Sequence, residues 1–289
     1  RKRQRAVAVV PPPMKSRKKA RQVTSRFHRV QEQLHAAEAA LSAAKDAGQA
    51  TGDTEDKLRR LRAELQQLGG REAYQQASRL QLQFCDSGRY VFQQLTSRGF
   101  RPSRREKRRP RVLEIGAVTR TLLRCPWLDV LAIDLKAQEQ DIREVDFFQL
   151  EVDSERPFDA VVCAMVLNCV PTAAGRGQML LKIREHLAIE GLLFVMLPKR
   201  CLSRSPHLTQ PEFLALCEAM GYALLHQKAS PKILYFVFSL RERVPLPDIA
   251  EQRRNPRRKK STTRKGADVC NFDVRLSDPA LDDEQARQG

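Results

Sequence analysis

The chain has 289 residues, with 52 Lys and Arg against 34 Asp and Glu, a formal charge of +18 at pH 7. That length holds one large α/β domain with extensions, or two domains, and the charge favours a polyanionic partner, nucleic acid or an anionic membrane surface. No apolar stretch approaches the roughly 20 residues that span a bilayer, and no apolar segment follows the basic start, so neither a membrane helix nor a secretory signal is expected.

Residues 1–25 read as a disordered basic arm, because the first thirty residues carry eleven Lys or Arg, no acid and the break Pro11-Pro12-Pro13. Residues 26–97 read as a helical region that starts at a Thr24 or Ser25 cap. From Arg26 to about Leu68 the Ala/Leu/Glu/Gln-rich pattern, interrupted at Gly48 to Asp53, predicts a helical hairpin. Asp53 or Thr54 would cap the second helix, and Leu58, Leu61, Leu65 and Leu68 share one face. That stripe reads as intramolecular packing before it reads as a partner site. Gly69-Gly70 ends the hairpin, and Arg71 to about Phe84 forms another helix.

The core is expected over 98–242. A second basic cluster, Arg98, Arg101, Arg104, Arg105, Lys107, Arg108, Arg109 and Arg111, leads into it against one acid, Glu106. Strands follow near 111–115, 130–134, 142–146, 158–164, 191–197, 222–227 and 232–240, with helices near 174–188 and 209–220. This alternation implies a mostly parallel sheet with helices on both faces. The last two strands are too close for a parallel crossover, so one should run antiparallel. The last, Lys232 to Phe238, is apolar throughout its middle and so central. Residues 243–289, basic over Arg253 to Lys265 and then acidic, read as a disordered tail.

Chemistry concentrates at the strand ends. Gly116 follows Arg111-Val-Leu-Glu-Ile, where a missing Cβ lets the backbone approach a bulky ligand. Asp134 ends Val-Leu-Ala-Ile-Asp and can accept both hydroxyls of a ribose. Asp146 of Val145-Asp-Phe147-Phe148 can accept from an exocyclic amine, with an aromatic ring against a purine face. Asn168, in Met165-Val-Leu-Asn-Cys-Val-Pro171, is a polar residue in an apolar run and needs partners if buried. These positions together predict a nucleoside-cofactor site at the carboxyl ends of parallel strands. The seven cysteines have no CxxC spacing and no matching histidine cluster, so no metal is expected. Their odd number and apolar settings suggest reduced core thiols in an intracellular compartment.

The core resembles the Rossmann-like class I S-adenosylmethionine-dependent methyltransferases, and more narrowly the fungal 25S ribosomal RNA adenine-N1 methyltransferase family. The matching runs are Val112-Leu-Glu-Ile-Gly116-Ala, Ile133-Asp134-Leu, Asp146-Phe147, Met165 to Pro171, Arg176-Gly177-Gln-Met-Leu180, Leu197-Pro198 with Cys201, Gly221-Tyr222 and Ser230-Pro-Lys232-Ile-Leu-Tyr235. Outside the core, Arg21 to His28 and Leu68 to Ser78 are similar to the family's amino-terminal signatures. The resemblance implies a mostly parallel seven-stranded sheet with its last strand antiparallel, and an amino-terminal helical extension. It implies S-adenosylmethionine as cofactor, bound through Gly116 and Asp134, to which Asp146 and Phe147 are added. The wider superfamily's glycine-rich loop is reduced to Glu114-Ile-Gly116-Ala-Val118-Thr-Arg120, with only the first glycine kept.

On that resemblance the activity is methylation of N1 of an adenine in large-subunit ribosomal RNA, in the nucleus and nucleolus, on the pre-60S particle. Asn168 is the candidate catalytic residue, hydrogen-bonding the exposed adenine edge. Arg101, Arg104, Arg105, Arg108 and Arg109 are candidate RNA contacts on a rim of the site. A monomer is expected, with no membrane and no metal. The competing readings are a non-enzymatic S-adenosylmethionine sensor or scaffold acting through protein contacts, and a methyltransferase with another acceptor. The basic clusters argue for RNA over the sensor.

Overall fold

The computed structural model describes residues 16–82, 87–103, 108–137, 139–243 and 270–276. Seven strands form one sheet: β1 (Arg111–Ile115), β2 (Asp129–Asp134), β3 (Arg143–Glu144), β4 (Phe158–Ala164), β5 (Leu187–Pro198), β6 (Tyr222–Ala229) and β7 (Ile233–Leu240). Their order across the sheet is β3-β2-β1-β4-β5-β7-β6. The pairs from β3 to β5 are parallel, and β7 runs antiparallel to both β5 and β6. The apolar run from Ile233 is flanked on both sides, as its composition requires. β5 starts four residues before its predicted beginning. Its pairing with β4 shifts register between Phe158 and Ala160, and Glu190 takes up the irregularity at φ +63.

Four helices precede the sheet: α1 (Arg17–Asp46), α2 (Gly52–Gln67), α3 (Gly70–Leu82) and α4 (Ser87–Ser97). α1 begins nine residues before the predicted start and takes in part of the supposed arm. Ser16, whose Oγ accepts from the Lys19 N–H, is its cap, and the Thr24 hydroxyl instead donates back to the Ala20 carbonyl. Arg, Lys, Ala and Gln over 17–22 are good helix formers, and charge alone concealed that. α2 begins at Gly52, with Asp53 and Glu55 in its first turn, so neither Asp53 nor Thr54 caps it. The leucine stripe of α2 packs on Val30, Leu34, Ala37 and Leu41 of α1, an intramolecular seam. Residues 1–15 lie outside the described residues.

Helices cover both faces of the sheet, but unevenly. α5 (Ala173–His186) joins β4 to β5, and α6 (Arg200–Ser203) and α7 (Gln210–Ala219) lie between β5 and β6. α5 and α7 bury Leu180, Ile183 and Phe213 against Leu113, Ile133, Val161 and Phe236. On the opposite face α4, not separately predicted, buries Tyr90, Val91 and Leu95 against Val112, Ala160, Phe194 and Val237. No helix occurs between β1 and β2, where residues 116–128 form only turns.

The predicted disordered tail needs a correction. Residues 270–276 form an ordered strap across α5, with Phe272, Val274 and Leu276 each 4% exposed or less. The backbone of Arg275 lies so close to α5 that a Cβ at Gly177 would stand 1.8 Å from its carbonyl oxygen. The Arg275 N–H donates to the Ala173 carbonyl at 2.9 Å. Phe272, Val274 and Leu276 supply the strap's apolar contacts, while Asp273, buried between them, accepts from the Val274 N–H and from Arg275 Nε, and Arg275 is exposed. The other residues of 243–289, apart from Arg243 itself, lie outside the described set. Phe272→Ala should lower the unfolding free energy by about 3 kcal/mol through loss of a buried ring. Urea titration reads this directly, and an unchanged midpoint would mean the strap is not held.

Candidate functional site

The chain builds outward from β1 through β2 and β3, then returns to build β4 and β5 on the other side. In open α/β sheets the carboxyl ends at such a reversal form the ligand crevice. Gly116 closes β1 with φ +70. A Cβ there would lie 2.4 Å from Val166 Cγ2 at the tip of β4, so the glycine is required by the protein's own packing as well as by backbone conformation. Backbone bonds continue past the strand ends: Ala117 N–H to Ile133 carbonyl, Val145 N–H to Asp134 carbonyl and Met165 N–H to Met196 carbonyl, each 2.9–3.0 Å. The strand tips are therefore fixed relative to one another.

Asp134 closes β2, and its Oδ1 accepts the Lys136 backbone N–H at 2.8 Å, a local turn that holds the carboxylate at the crevice edge. Leu135 beside it is 46% exposed, apolar surface that a nucleobase would cover. Asp146 follows β3 and caps the short turn Phe147–Gln149 by accepting the Phe148 N–H at 2.9 Å. The Phe147 ring is only 3% exposed and lies 5.5 Å from the His186 ring. Its ring belongs to the core, so any contact to a nucleoside is through its backbone, and the exposed ring here is Phe148.

At the tip of β4, Met165 adopts φ +62, a strained conformation for a residue with a side chain. The turn that follows sends Val166 onto Gly116 and buries Leu167 completely. Asn168 and Cys169 are left facing the amino-terminal helices. The Tyr74 hydroxyl of α3 lies 3.0 Å from Cys169 Sγ and 3.4 Å from His28 Nε2 of α1. Phe27 stacks on Tyr74 with ring centroids 4.6 Å apart. Asn168 Nδ2 donates to Cys169 Sγ at 3.5 Å, and Cys169 Sγ donates to the Met165 carbonyl. α3 also reaches the β2 tip, where Glu72 pairs with Lys136 at 2.8 Å. The helical extension thus roofs the crevice, with Phe27, His28 and Tyr74 as its contact residues.

Electrostatically this roof is neutral near pH 7. Burial, with the Arg176 charge second, lowers the His28 pKa to about 4, so the imidazole is uncharged. Burial raises the Cys169 pKa to about 11, against smaller opposing effects from Tyr74, Arg176 and Arg71. Burial also raises the Glu114 pKa to about 8. Two buried acceptors, Glu114 Oε2 and Asn168 Oδ1, lack hydrogen-bond partners. A buried acceptor left unmatched is destabilising until a donor arrives.

Arg176 of α5 locks the far side of the turn. Its guanidinium donates to the Asp273 carbonyl at 2.9 Å and the Pro171 carbonyl at 3.2 Å, and lies 4.9 Å from the Phe272 ring centroid. Sequence reasoning named Gly116, Asp134, Asp146 and Asn168, which the fold places along one edge. It assigned no role to Glu114, His28, Tyr74 or Arg176, although all four stand inside the runs that carry the family resemblance.

The basic cluster needs a second correction. Arg101, Arg108 and Arg109 precede β1 and sit at the amino edge of the sheet, opposite the crevice, and so form no rim to it. There Arg108 pairs with Asp159 at 2.6 Å, and the Arg101 guanidinium lies 6.0 Å from the Trp127 ring centroid. Arg104 and Arg105 lie outside the described residues. Among the described residues no group of three or more His, Cys, Asp or Glu could hold a metal ion, and no helix is long and apolar enough to cross a membrane.

A family model described as 25S rRNA (adenine(2142)-N(1))-methyltransferase, Bmt2, matches residues 59–274. The 25S rRNA (adenine(2142)-N(1))-methyltransferase of Saccharomyces cerevisiae is 29% identical over 146 residues, 49% of this chain and 43% of that enzyme. The chain thus spans less than half the length of this curated relative. A Burkholderia thailandensis 1,6-didemethyltoxoflavin-N1-methyltransferase, solved with S-adenosylhomocysteine, is similar at 18% identity and TM-score 0.40, covering 47% of this chain and 72% of its own. A Clostridium acetobutylicum S-adenosylmethionine-dependent methyltransferase is similar at 11% identity and TM-score 0.42, covering 54% and 91%.

The depressed His28 value has a consequence for stability. In the unfolded chain the imidazole protonates near pH 6.5, in the folded chain only near 4. Between those values the unfolded state binds the extra proton, so the unfolding free energy falls as pH drops from about 6.5 to about 4. His186, lowered to about 4 by burial and by Lys182, adds to the same slope. His28→Gln should flatten part of that decline in denaturant titrations across the window. A profile identical to wild type would mean the imidazole is not held neutral.

Proposed function

The chain belongs to the family of 25S rRNA (adenine(2142)-N(1))-methyltransferases, Bmt2, and from that membership we propose that it methylates N1 of an adenine in large-subunit ribosomal RNA. S-adenosylmethionine supplies a methyl group already activated on a sulfonium centre. The residues present fit that cofactor. Asp134 offers a carboxylate to the ribose hydroxyls, and Leu135 offers an apolar surface to the base. The buried Glu114 Oε2 lacks a donor, which the ammonium of the amino-acid end would provide. Residues 116–128 contain no helix, so no positive helix N-terminus opposes a sulfonium at the β1 tip.

Asn168 carries the acceptor side of the reading. Its Oδ1 is a buried acceptor without a partner at the β4 tip, and the exocyclic amine of adenine is a donor adjacent to N1. Held by that bond, N1 presents an in-plane lone pair that carries no proton, so attack needs no general base. The uncharged neighbours suit this chemistry: neutral His28, the Cys169 thiol and the Tyr74 phenol provide dipoles without a charge to repel the cationic product. Catalysis then rests on alignment. The Watson–Crick edge must be unpaired to enter, so the target adenine is single-stranded or flipped out. Arg101, Arg108 and Arg109, remote from the crevice, contribute phosphate affinity and leave turnover unaffected. This reading implies a nuclear and nucleolar protein acting on the pre-60S particle, with the family's 25S rRNA as substrate.

The deciding experiment is transfer of labelled methyl to large-subunit rRNA from a strain lacking the activity, with nucleoside analysis of the product. Label should appear as 1-methyladenosine. Asp134→Ala should abolish cofactor binding, whereas Asn168→Ala should retain it and lose turnover by about 10²-fold, the scale of one oriented polar contact. Turnover at saturating cofactor should stay flat from about pH 6 to 9, since attack by N1 needs no base and the bound ammonium keeps Glu114 ionised. Cofactor binding without methyl transfer would favour a sensor or scaffold acting through protein contacts.

Glu114 gives an independent check. Near pH 7 its carboxyl, with a pKa of about 8, is mostly protonated. An arriving ammonium favours the carboxylate, so binding should release a proton. Calorimetry in buffers of different ionisation enthalpy should detect that release in the wild type and lose it in Glu114→Gln. Its absence in the wild type would remove Glu114 from the cofactor site.

A further inference from the structure

The carboxyl edge of the sheet is divided by charge. On the β2–β3 side the strand ends carry three acids, Asp134, Glu144 and Asp146, against Lys136. On the β5–β7–β6 side the balance is reversed. Residues 199–211 and 219–241 contain no Asp or Glu. Lys199, Arg200 and Arg204 follow β5, while Lys228 ends β6 and Lys232 leads into β7, and all five are exposed.

The fold joins these two segments. The Lys199 N–H donates to the Lys232 carbonyl at 2.7 Å, and Gln210 Nε2 of α7 donates to Gln227 Oε1 of β6 at 3.1 Å. Glu212, the first acid after the basic run, is engaged in the α7 capping box with Thr209. The ledge adjoins the acceptor turn, because β5 pairs with β4 and Met165 at the β4 tip bonds Met196 near the β5 tip. A hollow of about 230 Å³ opens in the same surface, lined by Gln210, Gln227, Lys228, Ala229, Leu234 and Phe236. Its apolar floor and amide rim suit the face and edge of an unstacked base.

We propose that this ledge is the track for the single-stranded RNA flanking the target adenine, with phosphates on Lys199, Lys228 and Lys232 and a neighbouring base in the hollow. The proposal rests on the reading of the chain as an rRNA methyltransferase. A polyanion approaching the crevice is repelled by the acidic β2–β3 side, which faces the nucleoside cofactor, and attracted by the basic side. RNA and cofactor therefore enter the crevice from opposite halves and meet at the β4 tip. Arg200, which hydrogen-bonds Cys270 of the strap, is left out of the test because its loss would also disturb the strap.

The test measures binding of the full chain, with cofactor, to an unstructured RNA of about 20 nucleotides over a range of salt. For single strands each lost phosphate contact lowers the slope of log K against log salt by about 0.7. Replacing Lys199, Lys228 and Lys232 together by Gln should reduce the slope by about 2, with cofactor affinity unchanged. The corresponding Lys→Arg variant should keep the wild-type slope. A wild-type slope in the Gln variant, alongside wild-type cofactor binding, overturns the track and leaves the methyltransferase reading intact. A wild-type protein that binds cofactor but neither binds RNA nor methylates rRNA overturns the underlying reading, and the track with it.

Discussion

At the end of β1 the backbone of Gly116 runs so close to Val166 that no Cβ fits between them. This approach lets β4 return alongside β1 after the chain has built β2 and β3 on the other side. It brings Asp134, Asp146 and Asn168, spread over thirty-five residues, to one edge. It also forces the β4 tip to turn sharply through Met165, and that turn determines which side chains point inward. Leu167 enters the core, while Asn168 and Cys169 remain for the helices above. A larger residue at Gly116 would separate the two strand tips, and Asp134 and Asn168 would lose their register.

Around that contact the protein arranges polarity in zones. Acids stand at the tips of β2 and β3, cations border β5, β7 and β6, and the side chains His28 and Cys169 between them are polar but uncharged. Burial produces the neutral zone by holding His28 deprotonated and Cys169 protonated. On the proposed reading, a cationic product formed there would meet dipoles and no fixed positive charge on His28, Tyr74 or Cys169. The amino-terminal helices are therefore part of the site as well as an appendage to the core, since His28 and Tyr74 supply that zone's upper surface.

How far the sequence reveals this depends on the range of the signal. β1 and β4 are short apolar runs ending on Gly116 and Met165, and their bounds follow from pattern alone. Asp134 and Asn168 stand at strand ends, so their clustering follows once the sheet is mostly parallel. The roof is invisible to periodicity, because a contact between Tyr74 and Cys169 joins elements ninety-five positions apart. Charge misled twice. It made residues 17–25 look disordered although their helix propensity is high, and it hid the apolar residues Phe272, Val274 and Leu276 within a polar tail. The cluster at 98–111 adjoins β1 in sequence, and adjacency alone suggests a rim of the site. Strand direction decides otherwise, since residues that precede a parallel strand lie at its amino edge.

The strap has a bearing on the order in which the protein forms. The Pro171 carbonyl beside the acceptor turn is held by Arg176, and Arg176 is held in turn by the Asp273 carbonyl and the Phe272 ring. During synthesis the sheet can pair as soon as β7 has left the ribosome, because every strand then exists. The turn that carries Asn168 gains its last support only after some thirty-five further residues have emerged. Folding of the scaffold and completion of the site are therefore separate events in time, divided by the synthesis of those residues. A nascent chain stalled between them would hold a finished sheet and an unbraced turn at Asn168.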